Sequence, residues 1–453
     1  MRYIFVIALW VLSNSLWSQN KHLLYNQTHN PQSLMLNPGA AYEKTDFHVG
    51  VPGLSNIYAS AGNTILNVDT FFNNNDFNTN VALAINKISP KDFVAFNQKL
   101  DLINVGWSNG DHYYTAGVYQ ESDGVSNFPK DLIELAYFGN AGQNRSYDIG
   151  QINFRANVQS VFHFGVNKQV NEDFHLGARI KLYSSSVNIR SVRNSGKFNS
   201  RQISGGLLLE QSISNLNLRF DSTGLEDAEE LSTGNILIGS NFGLGLDFGL
   251  SYFFDDRWEF TGSILDLGFI RFNKNTRRDV SRGFFEYEGL GIQFPNFAAG
   301  DDLISYYQNL GDDIEQDLPT ETTADPYTYV QPTKLNAGLS YNFGGEGSWC
   351  ECRVNSRGKR AGNQTLSLHG FSMVSAGNFF YSITGMYERS FWKTVYAKVS
   401  LGLDQFNKPN YGAGLALDVW KINLFVNVDR LNQFSNIYNA EALTYQFGLN
   451  LKF

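Results

Sequence analysis

Side chains able to do chemistry are present in this chain, but they are not spaced for it. The seven histidines are scattered, and none stands with serine and acid, or with cysteine, at the spacing of a local nucleophile signature. No glycine-rich phosphate loop or GxGxxG opens a helix, so no cofactor and no enzymatic activity are expected. Cys350 and Cys352 flank Glu351. A bridge across two residues is strained, so free thiols or a labile bridge fit better than a structural staple, and no second ligand cluster supplies zinc spacing. Asp301, Asp302, Asp312, Asp313, Glu315, Asp317, Glu321 and Asp325 are dense enough to suggest calcium. The EF-hand spacing with its central glycine is missing, and a solvated acidic helix is the expectation.

What positions these groups is a pattern of alternation. Leu443, Tyr445, Phe447, Leu449, Leu451 and Phe453 share one face of an extended chain, and Thr444, Gln446, Gly448, Asn450 and Lys452 share the other. The same reading holds for 421–429 (Phe425 apart), 334–343, 241–252 and 174–183. Runs of ten or more recur, longer than the usual strand of a soluble sandwich. No run after the N-terminus approaches the length of a membrane helix. Mean hydropathy is slightly negative, with 17% charged and 15% aromatic residues and 42 glycines. An apolar lipid face alternating with a polar lumen face averages this way, so the expected fold is an all-β, transmembrane antiparallel β-barrel. Glycines on the polar face of 241–252 leave room where lumen side chains crowd or a plug packs close. The net charge of −8, with no basic block, excludes nucleic acid as an expected partner.

Short polar turns fall near 171–173, 255–257, 389–391 and 420–421. Counted back from Phe453, all four lie on the periplasmic side, where short turns belong. The wall then reads 98–107, 112–121, 129–138, 152–167, 173–187, 241–253, 257–271, 333–343, 365–374, 377–387, 392–403, 411–419, 421–430 and 441–453. That makes about fourteen strands, within a range of 12–16. Strand-like stretches at 203–218 and 283–293 are expected to lengthen hairpins in two long outer loops, 188–240 and 272–332. The second loop carries Leu303, Tyr306, Tyr307, Leu310 and Ile314 at helical spacing. The 344–364 loop with the cysteines falls on the periplasmic side. Trp258, Trp392, Trp420 and Tyr445 near strand ends suit an interfacial girdle. Arg179, Lys181, Asp247, Asp266, Lys334, Lys398, Asp418 and Asp429 fall on the lumen face, where mixed charges pair with each other or with a plug.

The N-terminus reads as an export signal over 1–18. It has Arg2, an apolar core Tyr3–Leu12 too short to span a bilayer, and the small residue of Leu16-Trp17-Ser18. Residues 19–97 mix Asn, Pro and Gly with broken apolar patches and are expected to form a hatch in or under the barrel of 98–453. Strands at 46–51 and 54–61 are the competing reading.

Tyr445, Phe447, Leu449, Leu451 and Phe453 resemble the terminal signal read by the barrel-assembly machinery, which the resemblance implies as a partner during biogenesis. The stretch Leu36-Asn37-Pro38-Gly39-Ala40-Ala41 resembles the Asn-Pro-Ala element of FadL-like transport barrels and of PorV-type barrels of the type IX secretion system, departing at Gly39 where Ala is usual. The stretch from Trp258 to Ile270 is similar to a segment of an uncharacterised Bacteroidota outer-membrane barrel family, a domain of unknown function. These resemblances imply an outer-membrane location, fourteen strands and an N-terminal hatch marked by Asn37, Pro38 and Gly39. The expected function is a passive channel for a small hydrophobic molecule. The alternative is a non-transporting scaffold or accessory in type IX secretion, gliding or surface assembly. Expected partners are outer-membrane lipid and a small hydrophobic ligand or a secretion-system protein.

Overall fold

Along Asn241–Tyr252 every second side chain is buried, and the outward set is the apolar one: Phe242, Leu244, Leu246, Phe248 and Tyr252 are exposed and Leu250 is half-buried. The buried set is Asn241, Gly243, Gly245, Asp247, Gly249 and Ser251. A strand can be inside out in this way only if its outer surface meets an apolar medium and its inner surface is packed with polar groups. The computed structural model describes residues 22–43, 45–64, 77–140, 144–202, 209–225, 237–288, 320–344, 362–392, 394–406, 409–434, 440 and 442–453. The expected export signal, most of the acidic outer-loop cluster with its helical stripe, and Cys350 and Cys352 lie outside them.

The strands in chain order are β1 (Phe47–Gly50), β2 (Ile57–Asn63), β3 (Phe93–Asn109), β4 (His112–Asn127), β5 (Arg145–Asp148), β6 (Phe154–Gln169), β7 (Phe174–Ser191), β8 (Ser195–Gln202), β9 (Leu209–Thr223), β10 (Asn241–Phe253), β11 (Trp258–Phe272), β12 (Thr276–Glu288), β13 (Thr320–Thr323), β14 (Tyr327–Val330), β15 (Lys334–Phe343), β16 (Gln364–Ser375), β17 (Asn378–Phe391), β18 (Val395–Asp404), β19 (Asn410–Val419), β20 (Ile422–Asp429) and β21 (Ala442–Lys452). All wall pairings are antiparallel, and the sheet closes. Val49 of β1 faces both Leu451 and Val105, and Ile57 of β2 faces both Phe447 and Leu100. Thus β1 and β2 are one wall strand interrupted by 51–56, and β14 and β15 are another interrupted by 331–333. With β3, β4, β6, β7, β10, β11 and β16 to β21, these make a barrel of fourteen.

The total agrees with the sequence reading, but one member differs. The stretch 129–138 is not a strand. Lys130–Phe138 is a helix, with Pro129 at its N-cap and Gly139, at φ +70°, closing its C-terminus. Proline before and glycine after is helix punctuation. Leu132 and Leu135 then share one face, and Lys130 and Glu134 pair at i,i+4, 3.7 Å apart. The missing wall strand is β1 with β2, inside the range expected to be hatch. It corresponds to the competing reading, strands at 46–51 and 54–61, with an excursion at 51–56 that β3 answers by a register shift between Asp101 and Ile103.

The strand-like segments outside the wall build a separate sheet, β5-β8-β9-β12-β13, at the end opposite the short turns. It joins the barrel where β9 pairs with the last residues of β7. The helix Lys130–Phe138 covers it, burying Leu135 against Tyr147, Phe198, Ile213 and Leu216.

Candidate functional site

Residues 22–42 contain no strand and are buried almost throughout. Two short 3-10 turns, His22–Leu24 and Pro31–Met35, shape them, the second opened by Asn30, whose side chain accepts from Gln32 N at 3.1 Å. A buried chain without a ladder must still satisfy its carbonyls, and the inward face of the wall supplies donors. Lys398 Nζ donates to Tyr25 O (2.9 Å) and Lys452 Nζ to His29 O (3.1 Å). Arg179 donates to Leu34 O and Met35 O, and Ser263 Oγ to Leu36 O (2.6 Å). Asn167 Nδ2 donates to both Pro38 O (2.7 Å) and Ala40 O (2.9 Å). The cations and amides of the lumen face thus hold the segment by its backbone.

Asn37-Pro38-Gly39 lies hard against the wall. Asn37 Oδ1 accepts from Gly39 N (3.0 Å) and its Nδ2 donates to Leu250 O (3.0 Å). A Cβ at Gly177 would stand 2.0 Å from Pro38 O, and one at Gly39 would stand 2.2 Å from Gly249 O. Alanine, usual in the resembling element, has no room at position 39 unless backbone moves.

Of the lumen charges read from the sequence, Arg179, Lys181 and Asp247 come together. Asp247 is fully buried between Arg179 (3.1 Å) and Lys181 (2.9 Å). Asp266 joins them, 2.6 Å from Lys181 and 2.9 Å from Lys334. A register shift between Leu246 and Phe248 marks the β10–β11 ladder beside Leu265 and Asp266, both of which are buried. Lys398, Asp418 and Asp429 belong to a different part of the lumen, around 22–30: Asp418 pairs with Lys452, and Asp429 lies 3.4 Å from His22. Tyr445, Phe447, Leu449, Leu451 and Phe453 face outward, away from both groups, with Tyr445 and Phe453 exposed. Lys99, Glu121, Asp123 and Arg155 also face the lumen and were missed. Their i,i+2 spacing in 99–101 and 121–123 was the available signal, but β4 runs to Asn127, beyond its expected end at 121.

Between the plugging segment and the wall is a cavity of about 70 Å³. Met35 and Leu36 line one side, and Lys99, Glu121, Arg155, Gln159, Asp266, Gln331, Lys334 and Met373 line the other. It reaches a break in the wall. β15 pairs with β16 as far as Lys334↔Met373, whereas β14 pairs with β11. Among the described residues no ladder joins β14 to β16. Gln331 N still donates to Gly268 O (3.0 Å) on the β11 side, Pro332 has no N–H to offer a neighbouring strand, and β16 ends at Ser375, two residues beyond Met373, before the Ala376-Gly377 turn into β17. The resulting opening of about 460 Å³ is lined by Val330, Leu335, Val374 and Phe379, all exposed on the outer face, and by Arg155, Tyr329, Gln331 and Met373 inside. Arg155, Gln331, Pro332 and Met373 line both spaces.

On the outer sheet, Asp221 is fully buried and receives hydrogen bonds from Arg190 (2.9 Å), Arg219 (3.2 Å) and Arg278 (2.7 Å). Burial acts to raise its pKa, but the three guanidinium hydrogen bonds outweigh it and hold the carboxyl below its usual range.

The profile of a family of unknown function (DUF5723) matches residues 38–429. No curated protein matches the sequence. Among solved structures, the chain is similar to the toluene transporter TbuX of Ralstonia pickettii, at 10% identity over 93% of this chain and 94% of that one, with a TM-score of 0.41. It is similar to the toluene transporter TodX of Pseudomonas putida, at 9% identity over 96% and 98%, TM-score 0.43. A FadL homologue of Pseudomonas aeruginosa aligns at 9% identity over 97% and 99%, TM-score 0.43.

Proposed function

The chain belongs to this family of unknown function, and from its own wall and lumen we propose that it is an outer-membrane β-barrel that passes a small, largely hydrophobic molecule passively through the side of its wall. A continuous apolar outer face is unfavourable in water and is matched by the hydrocarbon core of a bilayer. Residues 22–42 lie buried against the inward face of the wall, held there by Asn167 and Lys398, which favours a lateral path. The observation that carries the reading is the gap between β14 and β16, apolar at its rim and sharing four lining residues with the lumen cavity.

The test is uptake of a hydrophobic dye, N-phenylnaphthylamine, by diderm cells whose own outer membrane excludes it. Cells producing the chain should take up dye faster, and Val374→Trp, which fills the gap, should return the rate to background. No difference between producing and non-producing cells would overturn the reading.

A second reading is a non-transporting scaffold in secretion, gliding or surface assembly. It is favoured by the filled lumen with its paired charges and by the outer sheet, which has its own core and exposes Phe284. A stable protein partner retained by the wild-type barrel and lost with Phe284→Ser would support it.

A further inference from the structure

Resting on the lateral-channel reading, the lining of the cavity specifies the polar end of the molecule that enters. The charges there already answer one another. Arg155 pairs with Asp123, Lys334 with Asp266 (2.9 Å) and Glu121 (3.5 Å), and Lys181 with Asp266. Lys99 lies 3.8 Å from Asp101 and over the Tyr119 ring. A head group with net charge would therefore enter without a counter-ion. A bare hydrocarbon would cover charged and amide groups without replacing the hydrogen bonds they make to water.

The amide pair Gln159 and Gln331 is different. Gln331 Nε2 donates to Gln159 Oε1 at 2.7 Å. That leaves the Gln159 amide N–H₂ and the Gln331 carbonyl without a further partner among the described residues, side by side on the cavity wall. Flipping both amides exchanges their roles and still leaves one donor and one acceptor. This is the complement of a hydroxyl or an amide. Gln331 also lines the gap, whose rim is Val330, Leu335, Val374 and Phe379.

We propose that the transported molecule is an amphiphile with an uncharged hydroxyl- or amide-bearing head, which hydrogen-bonds Gln159 and Gln331 while its apolar tail lies in the gap between β14 and β16. The test is photolabelling of the full-length protein in lipid vesicles. The probes are decyl diazirines of equal chain length carrying a glycerol head, a carboxylate, a trimethylammonium or no head, with labelled residues mapped by mass spectrometry. The glycerol probe is expected to label Gln331 and Met373 about tenfold more than the other three, as one or two hydrogen bonds would give. The double variant Gln159→Leu with Gln331→Leu is expected to erase that preference. Equal labelling of these inner residues by all four probes would overturn the head-group assignment and leave the lateral channel standing. Labelling confined to outward residues with every probe would overturn both. The wild-type comparison stands without the variant.

Discussion

Gly249 and Asn37 are in direct contact across the lumen wall: a Cβ on Gly249 would lie 2.0 Å from Asn37 Oδ1 and 2.8 Å from Pro38 Cδ. Gly249 sits on β10, Asn37 in the segment that fills the barrel, and the absence of a side chain at one is what lets the other reach Leu250 O. Gly249→Ala should therefore unseat the segment. A cost of about 1–3 kcal/mol is expected, read as a lower unfolding temperature and faster proteolysis within 22–42. Gly262→Ala is the control, because no atom lies closer than 3.8 Å to a Cβ there. Equal behaviour of the two variants would refute the contact argument.

Arg179 connects Leu34 O and Met35 O to Asp247. Arg179→Met removes those donors and leaves Asp247 with Lys181 as its remaining ion-pair partner. Breaking a buried pair from one side costs about 3–5 kcal/mol, so the barrel should unfold at lower denaturant. Adding Asp247→Leu should recover part of the loss, measured as a double-mutant cycle. Additive losses would mean that the two residues act independently.

The outer sheet should weaken in acid. Because the folded pKa of Asp221 is depressed, its contribution is fully present above the unfolded carboxylate value of about 3.9 and is lost as pH falls through the lower, folded one. Hydrogen exchange of 209–223 and 276–288 should accelerate toward low pH, while the wall strands stay protected. Asp221→Asn should remove most of that pH dependence. An unchanged profile in the variant would assign the effect to other groups.

The outer sheet should also be separable from the barrel. Leu135 is buried in the small core beneath the helix Lys130–Phe138, so Leu135→Ala should cost about 2–5 kcal/mol of local stability. Exchange in β8 and β9 should rise while the amides of β16 to β21 keep their protection. Loss of protection in the wall would show that the two parts unfold together.

Alternation is a local property, because each residue of a strand faces one side or the other whatever its neighbour strand is. The fold class and most wall strands were therefore legible in the chain, and Arg179, Lys181, Asp247, Lys398 and Asp429 are buried. The interrupted strand Phe47–Asn63 was legible only as the competing reading of two strands, 46–51 and 54–61, since six residues of excursion break its period. The helix at 130–138 was misread because a short apolar run does not by itself distinguish strand from helix. Where the lumen side chains spend their hydrogen bonds was decided only in three dimensions. Arg179 meets Leu34 O 145 residues away, and an irregular segment such as 22–42 carries no periodicity that points to its partners. Pro332 lacks the N–H of a ladder residue, but only the register of β15 against β16, which ends at Lys334↔Met373, decides which neighbour β14 leaves unpaired.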